Sequence, residues 1–221
     1  MIYMVDHVYA DPASEQAWHE WYAGYLQKLV SVPGIHTAQR FKAVGCTPSR
    51  YLAMYSIESE AVYSSDAYKN IGGGGSQSAR FHHAYQLWTR NLFEGASRAP
   101  VVADEQRVLV FDREASPRPD TSLFDRDVSP HADALPVVRG EGDIRAADSR
   151  ITSGAPPLFR AGRGEGEVLA RAVWLKAVAL HMSTNYRAFI VLDADEVATT
   201  LAVPGSYIYE PFTAALVSQR A

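Results

Sequence analysis

The chain has 221 residues, of which 47% are hydrophobic and 21% are charged, and its formal net charge is −4 at pH 7. This length suits two domains of about 100 residues, and the acidic balance argues against general nucleic-acid binding, which needs a basic face. No apolar run approaches the ~20 residues of a membrane-spanning helix, and the single cysteine, Cys46, excludes an intrachain disulfide and a cysteine-rich metal site.

The first two predicted elements are a strand and an amphipathic helix. Ile2–Tyr9 is rich in apolar residues on both faces, which predicts a strand that is covered on both sides. The chain start lacks the basic head of a signal peptide, so we expect a cytoplasmic protein. Asp11 is placed to cap a helix whose first turn accommodates Pro12. Apolar side chains then recur at three- and four-residue intervals until the stop at Pro33-Gly34: Trp18, Trp21, Tyr22, Tyr25, Leu26, Leu29 and Val30.

Three further strands and two short helical segments complete the first half of the chain. Ile35–Ala43 is predicted as a strand that places His36 and Arg40 on one face, and residues 50–58 pair with it as a hairpin. We predict a short helix at residues 59–70, a flexible glycine loop at 72–75, a helical turn at 79–85 and a fourth strand at 86–95. The order β-α-β-β-α-β is that of a ferredoxin-like unit, whose sheet packs one face on helices.

The second half contains the same order of elements, although no letter-by-letter identity is detectable between the halves. Strands are predicted at Gln106–Arg113, 168–180, Tyr186–Asp193 and 205–216, helical pieces at 123–138 and 195–201, and a polar insertion at about 139–166. We therefore predict an α+β protein of two tandem ferredoxin-like (βαββαβ) units, residues 1–98 and 105–221, that form an α+β barrel. A homodimer of such barrels is compatible with this pattern.

Several motifs of the first half resemble the EthD-like branch of the dimeric α+β barrel superfamily. They are Trp21-Tyr22 on a helix, Tyr25 one turn later, Leu29-Val30-Ser31-Val32-Pro33-Gly34, Arg40-Phe41 on a strand and Arg50-Tyr51-Leu52-Ala53-Met54-Tyr55. Many members carry a histidine where this chain has Tyr25. The resemblance covers about the first hundred residues and implies a barrel closed by two such sheets. It also implies a role in aromatic catabolism or polyketide-like pathways, and similar tandem proteins hydrolyse or isomerise a ring-cleavage dienoate methyl ester in bacterial lignin-aromatic degradation.

Motifs of several common enzyme classes are missing from the sequence. The glycine run at residues 72–75 lacks the lysine and the strand–helix context of a phosphate-binding loop. There is no G-x-S-x-G nucleophile elbow, which argues against a standard serine hydrolase. There is also no H-E-x-x-H or H-x-x-x-H helix, which argues against a zinc hydrolase. We therefore expect a site without metal and without cofactor.

Three residues are candidates for catalysis: His7, His82 and Tyr25. His7 is either a hydrogen-bonded core histidine or a general base inside the barrel, since histidine titrates near neutral pH. His82 and His83 are adjacent, so at most one of them faces a cleft, and the glycine loop before them suits a lid. Tyr25 either belongs to the core stripe of the first helix or offers a phenol at the end of the cleft. His19, on the other side of that helix, is predicted to be solvated.

Arginine, aromatic and histidine side chains on the same elements are candidates for substrate binding. An arginine in a barrel cleft suits a carboxylate through bidentate hydrogen bonds, although a salt bridge at the rim fits the same pattern. Aromatic rings suit a flat, conjugated compound by stacking. The candidates are Arg40, Arg90, Trp88, His36 and Trp21.

This combination favours a cofactor-independent enzyme that acts on a small, oxygenated, carboxylated compound, because arginine binds carboxylates and histidine moves protons. The resemblance sharpens the expected reaction to hydrolysis or cis-trans isomerisation of a ring-cleavage dienoate methyl ester. Two alternatives stay open: a haem-binding or cofactor-free oxygenase of the same superfamily, and a non-catalytic ligand-binding module filled by its own aromatic residues. The expected partner is a small molecule, and neither nucleic acid nor membrane.

Overall fold

The computed structural model describes residues 1–115, 169–199 and 205–219. The helical pieces predicted at residues 123–138 and the insertion predicted at 139–166 lie outside this part of the chain. Within the described ranges, no helix has both the length and the apolar character that crossing a membrane requires.

The described elements follow the order that the sequence predicts. In chain order they are β1 (Ile2–Tyr9), α1 (Pro12–Leu29), β2 (Ile35–Ala43), β3 (Tyr51–Ile57), a first 3₁₀ segment (Glu60–Ser64), α2 (Asp66–Asn70), a second 3₁₀ segment (Gly73–Ala84), β4 (Tyr85–Glu94), β5 (Gln106–Arg113), β6 (Val173–Leu180), β7 (Tyr186–Asp193), α3 (Ala194–Thr199), β8 (Ser206–Pro211) and β9 (Leu216–Val217).

Helix α1 begins and ends at the predicted signals. The Asp11 carboxylate accepts a hydrogen bond from the backbone N–H of Ala13 at 3.0 Å, and Pro12 occupies the first turn. After the helix, Gly34 adopts a positive φ of 85°, a conformation that glycine reaches without a steric penalty. The buried face of α1 packs on the sheet through Trp18, Tyr22, Leu26 and Leu29.

Four segments differ from the prediction. The strand predicted at residues 168–180 begins only at Val173. The Ser65 side chain caps the backbone N–H of Tyr68 at 3.2 Å and divides the helix predicted at residues 59–70 into a 3₁₀ segment and α2. The glycine run predicted as a flexible loop begins the second 3₁₀ segment instead. The last predicted strand is split into β8 and β9. Between them, the N–H groups of Phe212 and Thr213 both donate to the Arg40 carbonyl, at 2.8 and 3.3 Å, which interrupts the regular ladder.

Eight of the described strands close into one antiparallel barrel. The neighbours run β3-β1-β4-β6-β7-β5-β8-β2, and β2 pairs with β3 to close the ring, while β9 also pairs with β2. The predicted fold class is confirmed to this extent: the protein is a mixed α+β protein built on a closed barrel. Both halves have the same strand order, β4-β1-β3-β2 and β8-β5-β7-β6. The tandem ferredoxin-like repeat stays a prediction, because the helical pieces expected between β5 and β6 lie outside the described residues.

Alternation along β1 separates the barrel interior from a face covered by α1. Ile2 and Met4 pack inside the barrel, whereas Val5 and Tyr9 pack against α1. Both faces of this strand are covered, as predicted. His7 lies on the face beneath α1, because the alternation places it with Val5 and Tyr9. Of the two alternatives for His7, the location inside the barrel is therefore wrong.

Candidate active site

The pairing register of the sheet places four of the predicted site residues in two neighbouring cross-strand rows beneath α1: Arg40, Arg90, His7 and Trp88. The cross-strand partners of one row, over β2, β3, β1 and β4, are Arg40, Ala53, Val5 and Arg90. The partners of the next row are Lys42, Tyr51, His7 and Trp88. Because residues two apart in a strand share a face, both rows face the helices.

A pocket opens between this sheet face, α1 and the second 3₁₀ segment, and we call it the α1 pocket. Its cavity volume is about 50 Å³, which is below the ~300–1,000 Å³ of most small-molecule sites, so side chains of its walls must move when a ligand binds. Its walls are mostly aromatic, and its polar groups are hydroxyls, an imidazole and a guanidinium. The predicted site residues that line it are His7, Trp21, Tyr25, Trp88 and Arg90.

His7 is a neutral imidazole in the base of the α1 pocket. It is 2% exposed, and its ring packs edge-on against the rings of Trp18, Tyr22 and Tyr85, with centroids 5.5, 5.5 and 5.6 Å away. Burial among these rings, and then the positive charge of Arg40, hold the pKa of His7 well below its usual 6.5. The imidazole is therefore neutral at neutral pH and can accept a proton, but the same burial and charge that keep it neutral make it a weak base.

Arg90 supplies a positive charge to the wall of the α1 pocket. Its guanidinium carbon lies 4.8 Å from the ring centroid of Trp88, which is a cation–π contact. The Nε atom is buried and has no hydrogen-bond partner among the described residues. A buried N–H without an acceptor costs free energy, so an anion that accepts this hydrogen bond is stabilised here.

Tyrosine hydroxyls provide further hydrogen-bond donors in the α1 pocket. The hydroxyl groups of Tyr22 and Tyr55 are hydrogen-bonded to each other at 2.8 Å, and Tyr25 stacks on Trp21 with ring centroids 5.2 Å apart. Burial raises the pKa of Tyr22, Tyr25 and Tyr55 above the usual 10. These phenols are therefore protonated at neutral pH, which suits them to donate hydrogen bonds and not to act as bases.

Arg40, a predicted substrate-binding residue, is not brought to the wall of the α1 pocket. It is 1% exposed and enclosed by rings, with its guanidinium carbon 4.0 Å from the ring centroid of Tyr22 and 4.6 Å from that of Trp18. Its Nη1 atom has no hydrogen-bond partner among the described residues. Arg40 affects the pocket indirectly, because its positive charge lowers the pKa of His7.

A chain of hydrogen bonds leads from Arg40 to a carboxylate through His19. Arg40 Nη2 donates to His19 Nδ1 at 3.3 Å, His19 Nε2 lies 3.2 Å from the Tyr51 hydroxyl, and that hydroxyl donates to Glu15 at 2.7 Å. These donors and acceptors require a neutral His19 with its proton on Nε2. The prediction of a solvated His19 is wrong, because the ring of Phe212 from the second half packs on it at 4.6 Å.

His82 does not line the α1 pocket but contacts residues that do, whereas His83 contacts Asp11. The Nε2 atom of His82 is 2.7 Å from Ser78 Oγ, and its ring lies 5.1 Å from that of Trp88, between centroids. His83 Nε2 instead lies 3.8 Å from a carboxylate oxygen of Asp11. Of the two adjacent histidines, His82 is therefore the one that contacts residues of the pocket.

His36 does not line the α1 pocket. The ladder between β2 and β3 shifts register between Ile35 and Thr37, so the alternation of β2 is interrupted at His36. Ile35 and Ala38 both pack in the cluster beneath α1 as a result. The expectation that His36 and Arg40 share a strand face depends on unbroken alternation, which this register shift interrupts, so it stays a prediction.

Sequence reasoning misses several residues of this region, among them Ser78 and His19. Ser78 is 4% exposed and lines the α1 pocket, but it lies in a glycine- and serine-rich run that predicts a loop. His19 is half-buried by contacts with β2 and with the segment after β8, which are distant in the chain. The four-residue spacing between Ser78 and His82 is a weak local signal, and His19 has none.

Comparisons with known proteins add little to this geometry. No protein-family model and no curated protein matches the chain. One solved structure, described as "Crystal structure study of anthrone oxidase-like protein", is similar with a TM-score of 0.49 and 10% sequence identity, over 99% of this chain and 93% of that chain. The closed antiparallel barrel itself fits the architecture that the EthD-like resemblance implies.

Proposed function

We propose that this chain is a cofactor-independent enzyme of the EthD-like branch, acting on a small, planar, oxygenated carboxylate in the α1 pocket. One observation carries the proposal: a neutral buried imidazole, His7, shares an aromatic pocket with Arg90, whose Nε has no hydrogen-bond partner among the described residues. In its sharpest form, the reaction is hydrolysis or cis-trans isomerisation of a ring-cleavage dienoate methyl ester.

Each group of the pocket has a distinct role in this proposal. Arg90 binds the carboxylate, and the rings of Trp21 and Trp88 contact the flat conjugated faces. His7 removes an acidic proton from the bound compound, and the hydroxyl groups of Tyr22 and Tyr25 donate hydrogen bonds to the oxyanion that develops. A dienolate formed in this way has single-bond character where the double bond was, so it rotates and then takes the proton back from His7. If His7 takes the proton from water instead, the hydroxide attacks the ester carbon, and methanol leaves with the proton that His7 returns.

The proposal includes the tandem organisation of the chain, with ferredoxin-like units at residues 1–98 and 105–221. The matching strand orders, β4-β1-β3-β2 and β8-β5-β7-β6, support it. In this arrangement the first unit carries the α1 pocket, and the second unit covers the opposite face of the first sheet. The second unit therefore stabilises the sheet on which the pocket is built.

The direct test is turnover of a ring-cleavage dienoate methyl ester, followed by the shift or loss of its absorbance. We expect His7→Gln, which keeps a polar side chain but is not a base, to lower kcat by about 100-fold or more. We expect Arg90→Met, which keeps the length but removes the charge, to raise KM by about 10-fold or more, since hydrogen bonds to charged groups are worth ~1.5–3 kcal/mol. Circular dichroism confirms that each variant folds.

His36→Ala is the matched control, because His36 lies outside the α1 pocket, and it should leave both kcat and KM unchanged. Unchanged turnover in folded His7→Gln would show that His7 is not the base. A Soret band in the purified protein would favour the haem-binding alternative. Tight binding of the dienoate without turnover would favour a ligand-binding module.

A further inference from the structure

We propose that Ser78 and His82 form a nucleophile–base pair at the α1 pocket, which cleaves an ester of a planar carboxylic acid through an acyl-serine intermediate. This inference rests on the proposed function, because it places the ester in the same pocket. It changes the mechanism of the hydrolytic branch: the acyl group is transferred to a side chain before water attacks it.

The two side chains have the separation that nucleophile activation requires. Ser78 Oγ lies 2.7 Å from His82 Nε2, within the range in which an imidazole accepts the proton of a hydroxyl. Ser78 is 4% exposed and lines the α1 pocket, whereas His82 is exposed. The hydroxyl is therefore presented to a bound ester, while the imidazole remains in contact with the solvent that must supply the hydrolytic water.

Neighbouring rings hold the pair in place. The ring of His82 packs against Tyr85 and Trp88 at centroid distances of 5.4 and 5.1 Å. The Tyr85 hydroxyl accepts a hydrogen bond from Trp18 Nε1 at 3.0 Å. The imidazole is thus held against residues of the rigid sheet, which favours one orientation of the pair.

A positive charge and a hydroxyl group in the same pocket suit the oxyanion of acyl transfer. The Arg90 guanidinium packs on the ring of Trp88, the residue that also contacts His82. The Tyr85 hydroxyl lines the same pocket as Ser78. Donors arranged around a nucleophile in a site with little water stabilise the negative charge of a tetrahedral intermediate.

The reaction balances without any further reagent. Ser78 Oγ attacks the acyl carbon while its proton moves to His82 Nε2, and the alcohol leaves with that proton. Water then attacks the acyl-serine, gives a proton to His82, and releases the acid as the proton returns to Ser78 Oγ. The absence of G-x-S-x-G is no obstacle, because this serine lies on a 3₁₀ segment and not on a strand-to-helix turn.

The test is covalent labelling of the full chain by phenylmethylsulfonyl fluoride, an aromatic reagent that transfers a sulfonyl group to an activated serine. We expect a single adduct in the intact mass, mapped to Ser78 by peptide analysis, and no adduct in Ser78→Ala. We expect His82→Ala to slow labelling by about 100-fold, the usual contribution of a general base. His83→Ala, which removes the adjacent histidine, should label at the wild-type rate.

An adduct that persists in Ser78→Ala, or a labelling rate that His82→Ala leaves unchanged, overturns the proposal. Failure of labelling with dienoate turnover that still depends on His7 leaves the proposed function standing without the pair. Labelling of Ser78 in a protein that does not bind dienoates supports the pair and refutes the proposed substrate.

Discussion

At the scale of single residues, Arg40 shows how a buried charge acts without touching a ligand. Buried arginines usually pair with carboxylates, but Arg40 is surrounded by aromatic rings instead. Its guanidinium carbon lies 4.0 Å from the ring centroid of Tyr22. Desolvated cation–π contacts are worth about 2 kcal/mol, which offsets part of the cost of burial. Together with burial, the positive charge of Arg40 favours the neutral form of the nearby His7 imidazole. Arg40 thus keeps the proposed base unprotonated.

Removing this charge should change the titration of His7 in a known direction. We expect Arg40→Met to raise the pKa of His7, because the positive charge that disfavours the imidazolium is lost, while burial still holds the pKa below 6.5. Nitrogen NMR shifts of the imidazole measure this pKa directly. Arg50→Met removes an exposed arginine immediately before β3 and should leave the pKa of His7 unchanged. An unaltered pKa in Arg40→Met would show that burial alone controls His7.

At the scale of elements, α1 contributes residues to the site from two of its faces. Its buried face places Trp18 and Tyr22 over the sheet, and its flank places His19 between Arg40 and Tyr51. The helix therefore connects the buried guanidinium to Glu15 through neutral hydrogen-bonding groups. Burial, and then Arg40, lower the pKa of His19 to about 4.

This pKa makes the stability of the fold depend on pH. The folded-state pKa of His19 lies below its unfolded value of 6.5, so between these values the unfolded chain binds a proton that the folded chain does not. The contribution of neutral His19 is fully present above that window and is lost as the pH falls through it. We expect the free energy of unfolding, measured in urea, to decrease on acidification, and to decrease less in His19→Gln.

His7 contributes a decrease of the same sign, because its pKa is also lowered. The difference between the wild type and His19→Gln over the same pH range therefore isolates His19. Equal decreases in the two proteins would show that the hydrogen bonds of His19 do not depend on its charge state.

At the scale of the whole molecule, a buried ion cluster joins the two halves of the barrel. Arg187 on β7 donates to Asp6 on β1 at 2.9 Å and, through two nitrogen atoms, to Asp112 on β5 at 2.7 and 3.0 Å. The side chains of Arg187 and Asp6 are 7% and 8% exposed, whereas that of Asp112 is 40% exposed. A buried guanidinium that loses one carboxylate is left partly unpaired in a medium of low dielectric constant.

We therefore expect Asp6→Asn to lower the free energy of unfolding by about 2–3 kcal/mol, and Asp112→Asn by less because water reaches that side chain. Equilibrium unfolding in urea measures both values. Glu94→Gln, which removes a partly exposed ion pair with Lys176 at 3.8 Å, is the matched control and should cost ~0.5 kcal/mol or less. A loss in Asp6→Asn no larger than this control would mean that the cluster does not stabilise the barrel.

The sequence by itself determined the elements whose causes are local. Asp11, Pro12 and the aromatic period define α1, and the apolar alternation of β1, β5 and β7 gives strands with the predicted bounds. Capping bonds, steric limits on proline and glycine, and side-chain periodicity act within a few residues, so they can be read from the chain directly. The same periodicity placed His7 with Val5 and Tyr9.

Only the tertiary structure decided which face of β1 is the barrel interior and which residues form the site. The interior face is set by strands of the second half, and the burial of His19 by Phe212, far along the chain. A register shift at His36 and the contact between Ser78 and His82 likewise depend on how segments pair and coil. These contacts follow from the packing of distant surfaces, for which neighbouring residues along the chain carry no signal.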